Sequence, residues 1–150
     1  MSKLDSIVDS WFVKAIEIYP ETARSGMMQT GDRFRNPVAT TLRESLEILA
    51  RELSGGMECS AVTSAVDTIV RVRAVQECKP EDAVGFPAQL RKIIREQQLE
   101  SLFPDMEQRL DALSQAASHQ YALCKKDIAR VRAREAQRLQ VLEPGARQAL

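Results

Sequence analysis

Few side chains in this sequence have the chemistry of a reactive centre, and their spacing argues against assembling one. His119 is the only histidine, so any nucleophile–base set of the Ser-His-Asp kind would have to be built on it. It falls midway along the last helical stretch, on the polar side of the apolar stripe, where an isolated polar residue is ordinarily solvated. As a haem ligand it would come too late in a chain of globin length. Cys59, Cys78 and Cys124 form no C-x-x-C pair, and His119 and Cys124, five apart, point to different helix faces. No metal and no cofactor is therefore expected, and Cys124, on the apolar stripe, reads as a small buried hydrophobe. Gly55-Gly56 is not followed by G-K-[ST], so there is no phosphate loop. Arg71 and Arg73, two apart on a helix, diverge by roughly 160–200° and cannot clamp one anion. One of them is expected to pair with a carboxylate such as Glu77 or Asp82. No enzyme can be assembled from these parts.

Recognition chemistry is concentrated near the end of the chain. Lys126, Arg130, Arg134 and Arg138 recur every four residues, a basic stripe on one helix. Two readings of it stand. It is a solvated face, eased by Asp127 and Glu135, or it is a docking surface for an acidic protein partner. Nucleic acid fits less well, because no aromatic residues accompany the stripe and Lys+Arg and Asp+Glu each number 21 across the chain, leaving no overall field. Opposite the stripe lie Cys124, Ile128 and Val131, which with Tyr121 are the candidate self-association residues.

The elements that must carry these residues read as helices. Leu4, Val8, Trp11, Ala15 and Ile18 step by four and three on a first helix, with Ser2 and Asp5 at capping-box spacing and Pro20 ending it. Glu21 to Asn36, with Gly26 and Gly31, reads as irregular with room for a short turn of helix, and a small ligand pocket is expected near it. Asn36-Pro37 caps and opens a second helix through Val38, Leu42, Leu46, Leu49 and Leu53, stopped by Gly55-Gly56. Ser60 can cap a third, through Val62, Val66, Ile69 and Val72 to about Lys79. Its β-branched residues also suit a strand, but spacing and length favour helix. Pro80-Glu81-Asp82 opens a fourth, which Gly85 and Pro87 should kink or break before Leu90, Ile93, Ile94 and Leu102.

From Asp105 to about Val141 one helix of roughly 55 Å is expected, at 1.5 Å per residue. Its stripe runs Leu110, Leu113, Ala117, Tyr121, Cys124, Ile128 and Val131. A compact domain of this size has a radius of gyration of about 13–15 Å and cannot cover such a helix. The far end should project or pair with another chain, and a two-fold homodimer through the stripe is the simplest pairing. One domain spanning 1–142 is expected, with a flexible tail at 143–150.

Composition agrees with that picture. At 44% apolar and 28% charged residues the chain is too apolar for disorder and ordinary for a globular domain. Three unpaired, widely spaced cysteines suit a reducing compartment. The N-terminus carries Asp5 where a signal peptide would be apolar, and no run of about 18 apolar residues offers a membrane span. A cytoplasmic protein without membrane insertion is expected.

Several separated motifs also agree in order with one known family. Ile69-Val70-Arg71-Val72-Arg73-Ala74-Val75-Gln76 is followed by Pro80-Glu81-Asp82-Ala83-Val84. Tyr19-Pro20 and Arg33-Phe34-Arg35-Asn36-Pro37 precede it, and Leu90-Arg91-Lys92-Ile93-Ile94-Arg95-Glu96 comes after. From about Trp11 to the last helix the chain resembles the RsbRD-type N-terminal domain, named for co-antagonists of a switch kinase in the bacterial general stress pathway. The resemblance implies a bacterial sensory or interaction domain, which in relatives precedes a STAS, histidine-kinase or helix-turn-helix output module. No such module follows here, so a stand-alone version is expected. Haem-free globin-like domains in related stress sensors make globin-like packing a further expectation by analogy.

The expected fold is thus all-α, a bundle of about five to six helices with a long C-terminal one. The expected function is non-catalytic regulation in signal transduction through a protein partner. The alternative is a structural accessory or assembly factor of a larger complex.

Overall fold

A computed structural model describes residues 2–29 and 36–148, and the side chains of the final helix as far as 141. Ser2 starts the first helix, α1 (Lys3–Ala15), with the expected capping box: its hydroxyl accepts from the Asp5 amide while the Asp5 carboxylate accepts from the Ser2 amide. The bond from the Ser2 amide, helped by the Ser2 hydroxyl beside it, holds the Asp5 carboxyl below its ordinary range. A 3-10 turn (Ile16–Ile18) follows, and Tyr19 turns extended ahead of Pro20, as the proline ring requires of its neighbour.

The stretch expected to be irregular opens instead with α2 (Glu21–Met27). Only Met27 of this helix is buried, so it carries no apolar stripe to announce it. The remainder of that stretch, 30–35, with the Arg33-Phe34-Arg35 motif, lies outside the described residues.

Three long helices build the wall of the core. They are α3 (Pro37–Ser54), α4 (Cys59–Val75) and, after the short α5 (Pro80–Val84), α6 (Phe86–Gln97). Two expected caps are corrected. Asn36 stands at the N-cap of α3 but makes no cap bond; its amide donates to the Gly26 carbonyl at 2.7 Å and ties α3 to α2. Ser60 lies inside α4, whose N-cap is Glu58, and its hydroxyl meets the Glu58 carboxylate. The break at Gly85 is as expected and has a steric cause. A Cβ there would lie 2.6 Å from the Glu81 carbonyl oxygen, so the corner between α5 and α6 needs glycine.

The last helix is α7 (Met106–Gln148), 43 residues or about 65 Å. It passes through Pro144-Gly145, where a tail was expected to begin. Seven α-helices, rather than five or six, thus make up the described residues, with no strand among them. The higher number comes from α2 and from the separation of α5 and α6.

Packing closes a ring: α1 lies against α3 and α6, α3 against α4, α4 against α7, and α7 against α6. Inside it Ile7, Trp11, Leu46, Leu49, Val66 and Ile94 are among the residues of one continuous core. Trp11 donates its indole N–H to the Phe86 carbonyl at 2.9 Å, so the largest buried side chain leaves no polar atom bare. Because α4 touches both α3 and α7, it buries a wide arc. Val72, expected in the core, is only half-buried, and Arg73 occupies the buried position beside it. No described helix is long and apolar enough to cross a membrane.

Candidate protein-binding surface

The final helix has two halves with different surroundings. In the first, Leu110, Leu113, Ala117 and Cys124 are buried, and Met106, Tyr121 and Ile128 pack half-buried against the same core. This stripe is therefore covered by the chain's own body, chiefly α4, and not left open for a twin as expected. Cys124 in particular is 4% exposed, and burial pushes its thiol above the ordinary range. Of the four candidate self-association residues, Val131 alone is mostly exposed, at 55%.

Polar contacts fix both ends of this packed half. At its start Arg91 and Arg95 of α6 meet Glu107 at 3.1 and 2.6 Å, and Arg91 also meets Asp111 at 3.1 Å. One Arg109 nitrogen donates to the Leu53 and Gly55 carbonyls at 3.0 and 2.7 Å, satisfying the open end of α3. At the far end Arg132 meets Glu77, in the turn after α4, at 2.6 Å. Beyond Arg132 no hydrogen bond or ion pair returns to the body among the described residues, and every residue from 129 to 141 is exposed.

Lys126, Arg130, Arg134 and Arg138 all lie on this exposed stretch or at its edge. They do not form one straight stripe. Each four-residue step advances about 40° around the helix, so the row winds through roughly 120° from Lys126 to Arg138. A straight row exists elsewhere: Val131, Arg134, Arg138 and Val141 are spaced three, four and three apart. Together with Gln137, Arg134, Arg138 and Val141 line a shallow surface trough. Val141, at 77% exposed, and Leu139, at 58%, were not singled out in the sequence, and nor was Arg132. All three fall outside the four-residue basic count. The three-and-four alternation would have found Val141.

The remaining candidates are dispersed. His119 is exposed; Cys59 is exposed, Cys78 half-buried and Cys124 buried, all as free thiols. Among the described residues no group of three His, Cys, Asp or Glu could hold a metal. Arg71 and Arg73 diverge as expected, but not toward Glu77 or Asp82. Arg71 pairs with Asp67 at 3.0 Å on its own helix, and buried Arg73 donates to the Ala15 carbonyl at 2.6 Å. An open depression lies beside α2, between Val13, Glu17, Glu21, Arg24 and Met28, near where a ligand pocket was expected.

Compared with known proteins, the chain matches no family model, no curated protein and no solved structure.

Proposed function

We propose that this chain is a non-catalytic regulatory domain of bacterial signalling, cytoplasmic, that acts by holding another protein on the projecting half of α7. One observation carries the reading. A helix anchored at Arg132 runs on with every side chain from 129 to 141 exposed, and three of them are large and apolar. Most helical stability in proteins comes from packing an apolar face, and beyond Arg132 this stretch buries no side chain against its own body. The sequence motifs shared with the RsbRD-type domain support a regulatory role, and the dispersed His and Cys residues support a non-catalytic one. The three free thiols suit a reducing compartment.

The test is photo-crosslinking in the native host. A photoreactive residue is placed at Leu139, on the projecting half, and in a second strain at Val75, exposed on the body. The expected result is a discrete protein adduct from position 139 that position 75 does not give. Adducts of equal yield from both positions, or none at 139, would overturn the proposal.

A further inference from the structure

Resting on that reading, we infer that the partner presents an acidic helix, and that Arg134 and Arg138 select it against a second copy of this chain. Leu110, Leu113, Ala117 and Cys124 mark the buried line of α7. Beyond the body Val131, Arg134, Arg138 and Val141 keep an alternation of three and four of their own, and the last three line the shallow trough together with Gln137. This is the a/d line through which two helices wind together.

That seam has an apolar position at each end and two arginines in the middle. Against a copy of itself, a parallel pairing sets Arg134 on Arg134 and Arg138 on Arg138. An antiparallel pairing sets Arg134 against Arg138. Either way guanidinium groups face one another in the two central layers. Residues 129–141 hold four arginines and one glutamate, so the flanks add to the repulsion. Like charges in facing layers are the usual device by which helices reject a wrong partner.

A carboxylate in each central layer reverses the sign. The helix already shows this preference where it leaves the body, since Arg132 is held by Glu77 at 2.6 Å. Arg134 and Arg138 meet no carboxylate among the described residues. On the bodies of other copies Asp9, Glu47, Asp67, Glu107 and Asp111 are already in ion pairs. A phosphate backbone fits less well, because Val131 and Val141 frame the arginines with apolar groups that a helix covers and a phosphate row does not. Residues 1–122 also carry 14 basic and 18 acidic side chains, a body that a polyanion would repel.

The experiment uses the full chain and a labelled synthetic helix of several heptads. The helix carries leucine where it faces Val131 and Val141, and glutamate where it faces Arg134 and Arg138. A second helix has lysine in place of the glutamates, and a DNA duplex is the third probe. By fluorescence anisotropy the chain should bind the glutamate helix at least about tenfold more tightly than the lysine helix. Arg134→Glu with Arg138→Glu should exchange the preference, and sedimentation should show the unmodified chain as a monomer. Both positions are exposed, so circular dichroism should be unchanged in the variant. Equal binding of the two helices, tighter binding of the duplex, or a dimer at micromolar concentration would overturn the inference. Repeating the crosslink at Leu139 in the charge-reversed variant separates this inference from the proposal beneath it. An adduct that survives reversal leaves the proposed function standing and removes the acidic helix. An adduct missing from the unmodified chain as well removes both.

Discussion

Replacing Arg73 tests how this fold holds its first helix in place. The residue is 3% exposed, yet no carboxylate meets its guanidinium among the described residues. Nη2 donates to the Ala15 carbonyl at 2.6 Å, the Cζ lies 5.3 Å from the centroid of the Tyr19 ring, and Nη1 is buried without a partner. Ala15 closes α1, so the cation sits at the negative end of that helix. A hydrogen bond from a charged donor contributes about 1.5–3 kcal/mol. A desolvated cation–π contact adds about 2 kcal/mol, and a helix end up to about 2 kcal/mol. These overlap, because a single carbonyl supplies both the bond and much of the helix-end field. Against them stands the desolvation of the ion, several kcal/mol.

Arg73→Met removes attraction and desolvation together while keeping most of the volume. What is left is an Ala15 carbonyl that has lost its charged donor and keeps only its bond in the 3-10 turn, so the expected loss is about 1–2 kcal/mol. Arg73→Ala also opens a cavity between α4 and α1, and should lose about 3–4 kcal/mol. In thermal melts followed by circular dichroism each kcal/mol is roughly 2–4 °C for a chain of this size. A methionine variant more stable than the parent would show the cation to be a burden and not a tether. An alanine variant no worse than methionine would show that the stem fills no space.

Tyr19 provides an independent readout of the same substitution. Burial pushes its phenol above the ordinary value, and Arg73 pulls it partway back. A raised phenol pKa means that folding prefers the neutral form. The stabilisation is complete below the unfolded value of about 10 and is lost as pH climbs through the higher folded value. In Arg73→Met the phenol should ionise later still, seen as delayed phenolate absorbance in an alkaline titration of the folded protein. Earlier ionisation would contradict the placement of the cation over the ring.

Two further outcomes follow from where α7 leaves the body. Ile128→Asp puts a charge against the core and should lose about 2–3 kcal/mol in urea unfolding, whereas Val131→Asp should stay within about 0.5 kcal/mol; the reverse order would mean that the packed half ends earlier. With a thiol reagent, exposed Cys59 should react at least about tenfold faster than Cys124, which is both covered and less ionised. Equal rates would mean that the contact between α4 and α7 opens readily.

Much of the helical framework was legible because each long element repeats its apolar residues at helical period. The capping box at Ser2 and Asp5 and the break at Gly85 were legible because steric and hydrogen-bond rules act locally there. What escaped depended on neighbours. Glu21–Met27 has one buried residue and so no period to detect. Asn36 looked like a cap, but its amide is engaged by Gly26 ten residues back. Arg73 continues the line of Val62, Val66 and Ile69 by a step of four, and it was passed over because the residue there is charged while its neighbour Val72 is apolar. Nor could the stripe on α7 say whose surface would cover it. Leu110 to Ile128 suit a twin helix as well as they suit α4, and only the closed ring of helices decides.

The candidate site was half legible for a related reason. Its basic residues were plain, but counting charges every four residues selects a row that winds around the helix. Counting apolar residues alone loses the seam where arginine takes the place of leucine. The two counts become one when the alternation of three and four is followed without regard to residue type. It then picks out Val131, Arg134, Arg138 and Val141 on the exposed half. A face that served only solubility would have no reason to keep Val131, Leu139 and Val141 exposed on it. A seam meant for a copy of itself would not place Arg134 and Arg138 in its central layers. Changing the chemistry where the body ends is what a helix needs if its first partner is its own body and its next is a different, acidic one.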